Sequence, residues 1–150
     1  MILTSRMSAG LRRDAVRGRL AAGAAALVVT GAGLALRSTA AGDVAEYGGD
    51  ALYTLLVLAL VLLAAPRTAR LWACAVALAL SWGVEFLQLT GLPAELSRRS
   101  TAARWVLGST FDAPDLLWYT VGAACGRLVL MVLEAARRRA ASLAVPIEFR

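Results

Sequence analysis

Apolar residues are gathered into four long runs, which polar and charged residues separate. The runs cover Leu20–Leu36, Tyr47–Ala65, Leu71–Leu89 and Leu116–Leu133. Each run approaches the ~20 residues that an α-helix needs to cross a hydrocarbon core of ~30 Å. The pattern therefore predicts an all-α membrane protein in which residues 20–133 form a bundle of four transmembrane helices. Residues 1–19 and 134–150 are then a basic N-terminal segment and a C-terminal tail.

The composition supports a membrane protein and restricts its chemistry. Of the 150 residues, 59% are hydrophobic and the mean hydropathy is +0.67, whereas soluble domains contain roughly 45–50% apolar residues. The net charge of +6 comes from arginines that lie mostly at the ends of the apolar runs, which argues against nucleic acid as the main partner. Histidine is absent, and Cys74 and Cys125 both fall inside apolar runs. We therefore expect no disulfide framework, no Cys/His metal site and no cofactor.

The distribution of arginine predicts how the spans are oriented. Arginines precede the first span, occupy the short second loop and follow the fourth span: Arg6, Arg12, Arg13, Arg17, Arg19, Arg67, Arg70, Arg137, Arg138 and Arg139. Because positively charged loops stay on the cytoplasmic side, we expect a multi-pass protein of the bacterial cytoplasmic membrane with both termini in the cytoplasm. In an alternative interpretation, residues 1–40 are a signal peptide that is cleaved after Ala40, which leaves the orientation of the other spans unchanged.

The last connection, residues 90–115, is long and lies on the predicted outer side. It carries three arginines against the usual charge bias, and it is too apolar to be disordered. Within it, Thr101–Leu107 is predicted to form a short helix at the membrane interface. Trp105 would lie among the lipid head groups, and Gly108 would end the helix.

Glu85 lies inside the third apolar run and is the first candidate functional residue, because an ionisable side chain costs about 2.5–3.5 kcal/mol at the centre of an inserted helix. Ser81, Glu85 and Gln88 stand at positions i, i+4 and i+7 and so share one helix face. Cys74 and Ala77 continue that face as small residues. We expect the face to point into the bundle, with Glu85 about 6 Å below the outer end of the helix. The structural alternative is that Glu85 only hydrogen-bonds to a neighbouring helix.

Further polar residues share the depth of Glu85 at the outer ends of the spans. Asp50, Asp112 and Asp115 each stand near a helix start, where capping is the structural explanation. Together these positions define a candidate ligand-binding cluster for an anionic head group or a cation: Asp50, Glu85, Gln88, Arg98, Arg99, Arg104, Asp112, Asp115 and Tyr119. Since an unpaired charge near lipid is costly, we expect Glu85, Asp115 and at least one of the three arginines to lie in one polar cluster.

Gly122 and Gly126 form a small-xxx-small pair on the fourth span. Such pairs permit close approach of two helix backbones, which drives helix association in lipid. We therefore predict that the third and fourth helices are antiparallel neighbours. The two glycines are expected to pack on the face of the third helix that carries Cys74, Ala77, Ser81 and Glu85.

The motifs around these polar positions carry a family resemblance. Residues 33–37 (GLALR), 47–58 (YGGDALYTLLVL), 81–89 (SWGVEFLQL) and 98–126 (RRSTAARWVLGSTFDAPDLLWYTVGAACG) resemble, in the same order, a family of small bacterial membrane proteins of unknown function that looks related to the VanZ-like group. The resemblance implies four or five transmembrane helices and polar positions at Asp50, Glu85, Gln88, Arg98 or Arg99, and Asp115. Tyr119 departs from the VanZ-like pattern, which usually has asparagine there. The family implies no activity.

Three classes of function fit the sequence. We expect an accessory protein whose outer cluster binds a membrane lipid, either an envelope lipid or a lipid-linked glycan precursor, because arginine binds phosphate with two parallel hydrogen bonds. The first alternative is an enzyme on such a substrate, with Glu85, Asp50 or Asp115 as acid–base groups or as Mg²⁺ or Ca²⁺ ligands. The second is a small-solute or ion permease formed by an oligomer. The sequence carries no signal for the oligomeric state.

Overall fold

The computed structural model describes residues 2–108 and 110–143, and their side chains from residue 12 onward. These residues form six helices and no strand: α1 (Ile2–Thr39), α2 (Asp43–Ala64), α3 (Arg70–Gln88), α4 (Leu92–Arg99), α5 (Thr101–Leu107) and α6 (Ala113–Leu143). Four of them, α1, α2, α3 and α6, contain stretches that are long and apolar enough to cross a membrane. The predicted all-α membrane protein is confirmed.

The long helices extend beyond the apolar runs that predicted them. α1 is already helical before Leu20, and α6 continues past Leu133 to Leu143. The flanking segments are rich in alanine and arginine, which are both good helix formers. Hydropathy therefore locates the part of each helix that crosses the hydrocarbon, whereas the helix ends depend on backbone propensity.

The four long helices differ in the number of other long helices that each of them contacts. α2, α3 and α6 each contact the other two, whereas the backbone of α1 comes close only to that of α2 among the described helices. The main core lies between α2 and α3, and its buried residues include Leu58, Leu62, Ala73, Cys74 and Ala77. The small residues of α3 let its backbone approach α2 closely, and this packing replaces the hydrophobic effect as the source of association in lipid.

α3 and α6 are neighbours, as predicted, and side chains join them near both ends of their contact. Arg70 and Glu134 form an ion pair of 3.2 Å. Farther along, the indole Nε1 of Trp82 donates to the carbonyl oxygen of Leu116 at 3.1 Å. The two antiparallel helices α3 and α6 are thus connected by polar contacts as well as by packing.

The predicted partner of the glycine pair was wrong, because the glycines of α6 face α2. A Cβ atom built on Gly122 would contact the backbone carbonyl oxygen of Ala51 and lie 3.0 Å from its Cα, and one on Gly126 would lie 2.6 Å from a methyl of Leu58. Two surfaces approach closely when one of them is small. α3 already presents small residues, so the glycines are needed where α6 meets the larger side chains and the backbone of α2.

The bundle has two different ends. α1 begins, α6 ends and the α2–α3 turn lies at one end, which we call the terminal end. The α1–α2 turn, α4, α5 and the start of α6 lie at the other, which we call the loop end. The polar residues that the sequence analysis selected as a candidate ligand-binding cluster lie at the loop end.

The long loop contains two short helices, of which the sequence predicted one. α5 spans Thr101–Leu107 as predicted, with the Ser100 side chain accepting the backbone N–H of Ala103 and Gly108 ending the helix at φ 65°. α4 was missed, although its first turn contains Pro93 and Glu95, which are typical of a helix start. Its eight residues are too few to show a clear hydrophobic period.

Candidate functional site

Glu85 is fully buried and joins α3 to the start of α6. Its Oε1 accepts the backbone N–H of Asp112 at 2.5 Å, and its Oε2 accepts the hydroxyl of Tyr119 at 3.3 Å. Asp112 directly precedes α6, so the carboxylate lies at the positive end of the α6 dipole, where a negative charge is stabilised. This geometry matches the structural alternative, in which Glu85 holds two helices together.

A second buried polar contact lies one turn deeper in the bundle. The hydroxyl of Thr54 donates to that of Ser81 at 3.1 Å, and Ser81 donates to the carbonyl oxygen of Ala77 at 3.0 Å. Thr54 and Ser81 are both fully buried. Below this pair the core between α2 and α3 consists of apolar and small residues.

Asp50 and Asp115 bring two carboxyl groups together across α2 and α6. The two side chains lie close enough to interact directly, and Asp50 Oδ2 and Asp115 Oδ1 are buried without a hydrogen-bond partner among the described groups. Two carboxyl groups in contact need a proton or another positive or donating group between them, because like charges at this distance repel strongly. The pair therefore differs from Glu85, whose two carboxylate oxygens each accept a hydrogen bond.

A cavity of about 480 Å³ lies above this pair, between α1, α2, α3, α5 and the start of α6. Its polar wall includes Arg37, Glu46, Asp50, Gln88, Arg104, Asp115 and Tyr119. Its apolar wall includes Val29, Leu34, Leu52, Leu56 and Val84. A cavity with a mixed-charge end and an aliphatic side suits an amphipathic ligand better than a uniformly polar solute.

The helix α5 covers the loop end of this cavity and is held by contacts to two other helices. The Nε2 of Gln88 donates to the carbonyl oxygen of Leu107 at 2.8 Å. From the opposite side, the guanidinium carbon of Arg37 lies 4.8 Å from the ring centroid of Trp105, a cation–π distance. The Oε1 of Gln88 is buried without a donor, so the amide keeps one acceptor available at the cavity wall.

The predicted cluster divides into three groups. Asp50, Gln88, Arg104, Asp115 and Tyr119 line the cavity. Glu85 and Asp112 lie beside the cavity, where the Glu85 carboxylate accepts the backbone N–H of Asp112 and the hydroxyl of Tyr119. Arg98 and Arg99 both pair with Glu95 on α4 and are about three-quarters exposed, so they are not brought to the cavity.

Two charged residues of the cavity were missed by sequence reasoning. Arg37 and Glu46 flank the α1–α2 turn and line the cavity from its other side. Arg37 directly follows the first apolar run, on the side that the arginine distribution predicts to be the outer one and where arginine is disfavoured. The sequence does not show that α5 lies opposite it.

The side of the cavity between α1 and α3 forms a seam. Both helices contribute wall residues, among them Val29 and Leu34 of α1 and Val84 of α3. Among the described residues, however, α1 contacts neither α3 nor α6. The apolar wall thus lies where the backbones of α1 and α3 are not in close contact.

The comparisons with known proteins identify a family and no activity. No curated protein and no solved structure matches the chain. Among the described residues, no group of three or more His, Cys, Asp or Glu side chains is arranged to hold a metal ion. The family described as "Protein of unknown function (DUF2809)" matches residues 39–123, which is more than half of the 150 residues and includes α2, α3, α4, α5 and the start of α6. The chain therefore belongs to the DUF2809 family of proteins of unknown function.

Proposed function

We propose that this membrane protein binds a lipid, with the head group in the loop-end cavity and the acyl or prenyl chain in the seam between α1 and α3. The observation that supports the proposal is that one cavity has both charged and apolar walls, and that its apolar wall lies between two long apolar helices whose backbones are not in close contact. We further propose that the protein lies in the cytoplasmic membrane with both termini inside, so that the cavity opens to the outer leaflet. The ligand is then an envelope lipid or a lipid-linked glycan, since these lipids carry their head groups in the outer leaflet.

The wall residues indicate the chemistry of the head group. Arg37 and Arg104 supply guanidinium groups, which bind phosphate oxygens as bidentate donors. Asp50, Asp115 and the free acceptor of Gln88 suit hydroxyl groups, which can donate to carboxylate or amide oxygens. A head group that combines a phosphate with several hydroxyls, such as a phosphoglycan, satisfies both sets.

A second candidate function rests on the contact between Asp50 and Asp115. A carboxyl pair that shares a proton contains one acid and one base in contact, as general acid–base catalysis requires. In that case the protein is an enzyme that acts on the bound lipid, and the pair is its acid–base group. The lipid site is common to both proposals, so binding is tested first.

The binding proposal is tested by native mass spectrometry of the protein after gentle extraction from bacteria. The double variant Arg37→Gln/Arg104→Gln removes both cavity arginines. The matched control Arg98→Gln/Arg99→Gln removes the same charge from the same end, outside the cavity. We expect the first variant to lose the co-purified lipid and the control to keep it. Equal lipid occupancy in the two variants would contradict the proposal.

The same preparations separate binding from catalysis. We expect Asp50→Asn to retain the lipid, because an amide can still donate to Asp115. If the wild-type protein carries a modified lipid and Asp50→Asn carries the unmodified one, the enzyme alternative is favoured. Identical lipid in both proteins favours an accessory binding role.

A further inference from the structure

A second cavity, of about 490 Å³, lies at the terminal end between α1 and the α2–α3 turn. Arg12 and Arg19 line it from α1, and Arg67 lines it from the turn. It is separated from the loop-end cavity by the apolar core of the bundle. It is therefore a separate cavity from the proposed lipid site at the loop end.

The two arginines of α1 are placed by the helix repeat and by a close contact with the turn. Arg12, Val16 and Arg19 stand at positions i, i+4 and i+7, so they share the face that looks at the turn. On the same side, a Cβ atom built on Gly18 would lie 3.5 Å from the Cβ of Pro66, which shows how closely α1 approaches the turn. A basic pocket is thus formed by two chain segments and is more than a charged helix surface.

The lining of this pocket combines cations, a hydroxyl and apolar atoms. Besides the three arginines, Thr68 supplies a hydroxyl, and Val16, Ala65 and Pro66 supply apolar surface. None of the described residues that line the pocket is acidic. Guanidinium groups prefer phosphate oxygens, and apolar walls at the end of a transmembrane bundle suit the glycerol and upper acyl carbons of a lipid.

From this arrangement we propose that the terminal-end pocket binds the phosphate group of an anionic phospholipid. Arg12 and Arg19 are the residues that bind the phosphate, with Thr68 as an additional donor. The apolar surface of Val16 and Pro66 contacts the glycerol region of the lipid. A bound lipid in this position fastens α1 to the α2–α3 turn, at the end where α1 has only α2 as a packing partner.

Two charge-matched variants of the full chain test this proposal. Arg12→Gln/Arg19→Gln removes both arginines that line the pocket on α1. Arg13→Gln/Arg17→Gln removes two arginines from the same segment of the same helix that are exposed and lie outside the pocket. Each protein is reconstituted in phosphatidylcholine nanodiscs that contain increasing phosphatidylglycerol, and native mass spectrometry measures the phosphatidylglycerol that stays bound.

We expect the wild type and Arg13→Gln/Arg17→Gln to retain phosphatidylglycerol alike, and Arg12→Gln/Arg19→Gln to bind it roughly tenfold more weakly. Equal weakening in both variants would overturn the proposal, since it would show attraction to the whole basic segment. A parallel titration in pure phosphatidylcholine uses inorganic phosphate as the probe. Phosphate that raises the melting temperature as much as phosphatidylglycerol does would show a free-phosphate site and overturn the lipid assignment.

Folding is checked independently of lipid. Thermal unfolding in pure phosphatidylcholine is expected to be the same for both double variants, because neither removes a buried contact. If Arg12→Gln/Arg19→Gln has a lower melting temperature than the control variant, the binding measurement is made on Arg12→Lys/Arg19→Lys. Lysine keeps the positive charge but cannot donate two parallel hydrogen bonds to phosphate. We then expect phosphatidylglycerol binding to fall severalfold, and unchanged binding would overturn the assigned role of the two guanidinium groups.

Discussion

The carboxylate of Glu85 accepts the backbone N–H of Asp112 at 2.5 Å, which ties the last turn of α3 to the residue before α6. An acidic residue in an apolar run therefore completes the hydrogen bonding at a helix start. The N–H groups of the first turn have no intrahelical acceptor, and in a membrane no water replaces one. The most conspicuous residue of the sequence is thus explained mainly by the bundle that it stabilises.

We expect Glu85→Ala to destabilise the protein by about 2–4 kcal/mol, because it leaves the Asp112 N–H and the Tyr119 hydroxyl buried without their acceptor. Tyr119→Phe removes only one of these two hydrogen bonds and should cost about 1 kcal/mol. Thermal unfolding of both variants in one detergent measures the difference. A Glu85→Ala protein as stable as the wild type would show that this contact does not hold the helices together.

Gly122→Ala should destabilise the bundle by about 1–3 kcal/mol, because the added methyl meets the backbone of Ala51 and α2 must move away. Gly83→Ala is the matched control, since it adds the same methyl to a membrane helix where nothing lies within 4 Å. The control should be neutral or more stable by up to about 1 kcal/mol, as alanine favours helix. Melting temperatures that fall equally for both variants would contradict the close contact of α6 with α2.

The contact between Asp50 and Asp115 predicts that Asp50→Asn is tolerated and that Asp50→Ala is not. Asparagine supplies a permanent donor to the Asp115 carboxylate, whereas alanine leaves that buried carboxyl without its partner, at about 1–3 kcal/mol. Thermal unfolding distinguishes the two variants. If both are equally stable, the two carboxyl groups do not interact in the membrane.

The proposed orientation predicts which engineered cysteines a membrane-impermeant reagent labels in intact cells. In a background with Cys74 and Cys125 replaced by serine, Arg17→Cys should remain unlabelled and Thr101→Cys should be labelled, because the terminal end is the arginine-rich one. Permeabilised cells should label both positions and serve as the control. The reverse pattern in intact cells would invert the topology, and with it the leaflet to which the cavity opens.

The sequence predicts local elements of this protein better than it predicts their partners. α5 was placed correctly because Ser100 and Gly108 carry a start and a stop signal within the chain itself. Gly122 was assigned to the wrong helix because a small residue marks a close approach and not the surface that approaches it. Arg37 was missed for a related reason, since its partner Trp105 is distant in sequence and meets it only in the folded chain. Which helices and side chains contact each other is therefore known only from the folded structure.

The packing of the α1 backbone on α2 alone has a consequence for assembly. α2, α3 and α6 form a closed triangle of mutual contacts, and the family match begins at residue 39, where α1 ends. The contacts within the triangle therefore do not require α1, which packs along one edge of it. The width of the seam, and hence the size of the lipid chain that we propose it accepts, therefore depends on the packing of α1 against α2 and on the contact of Arg37 with Trp105 of α5.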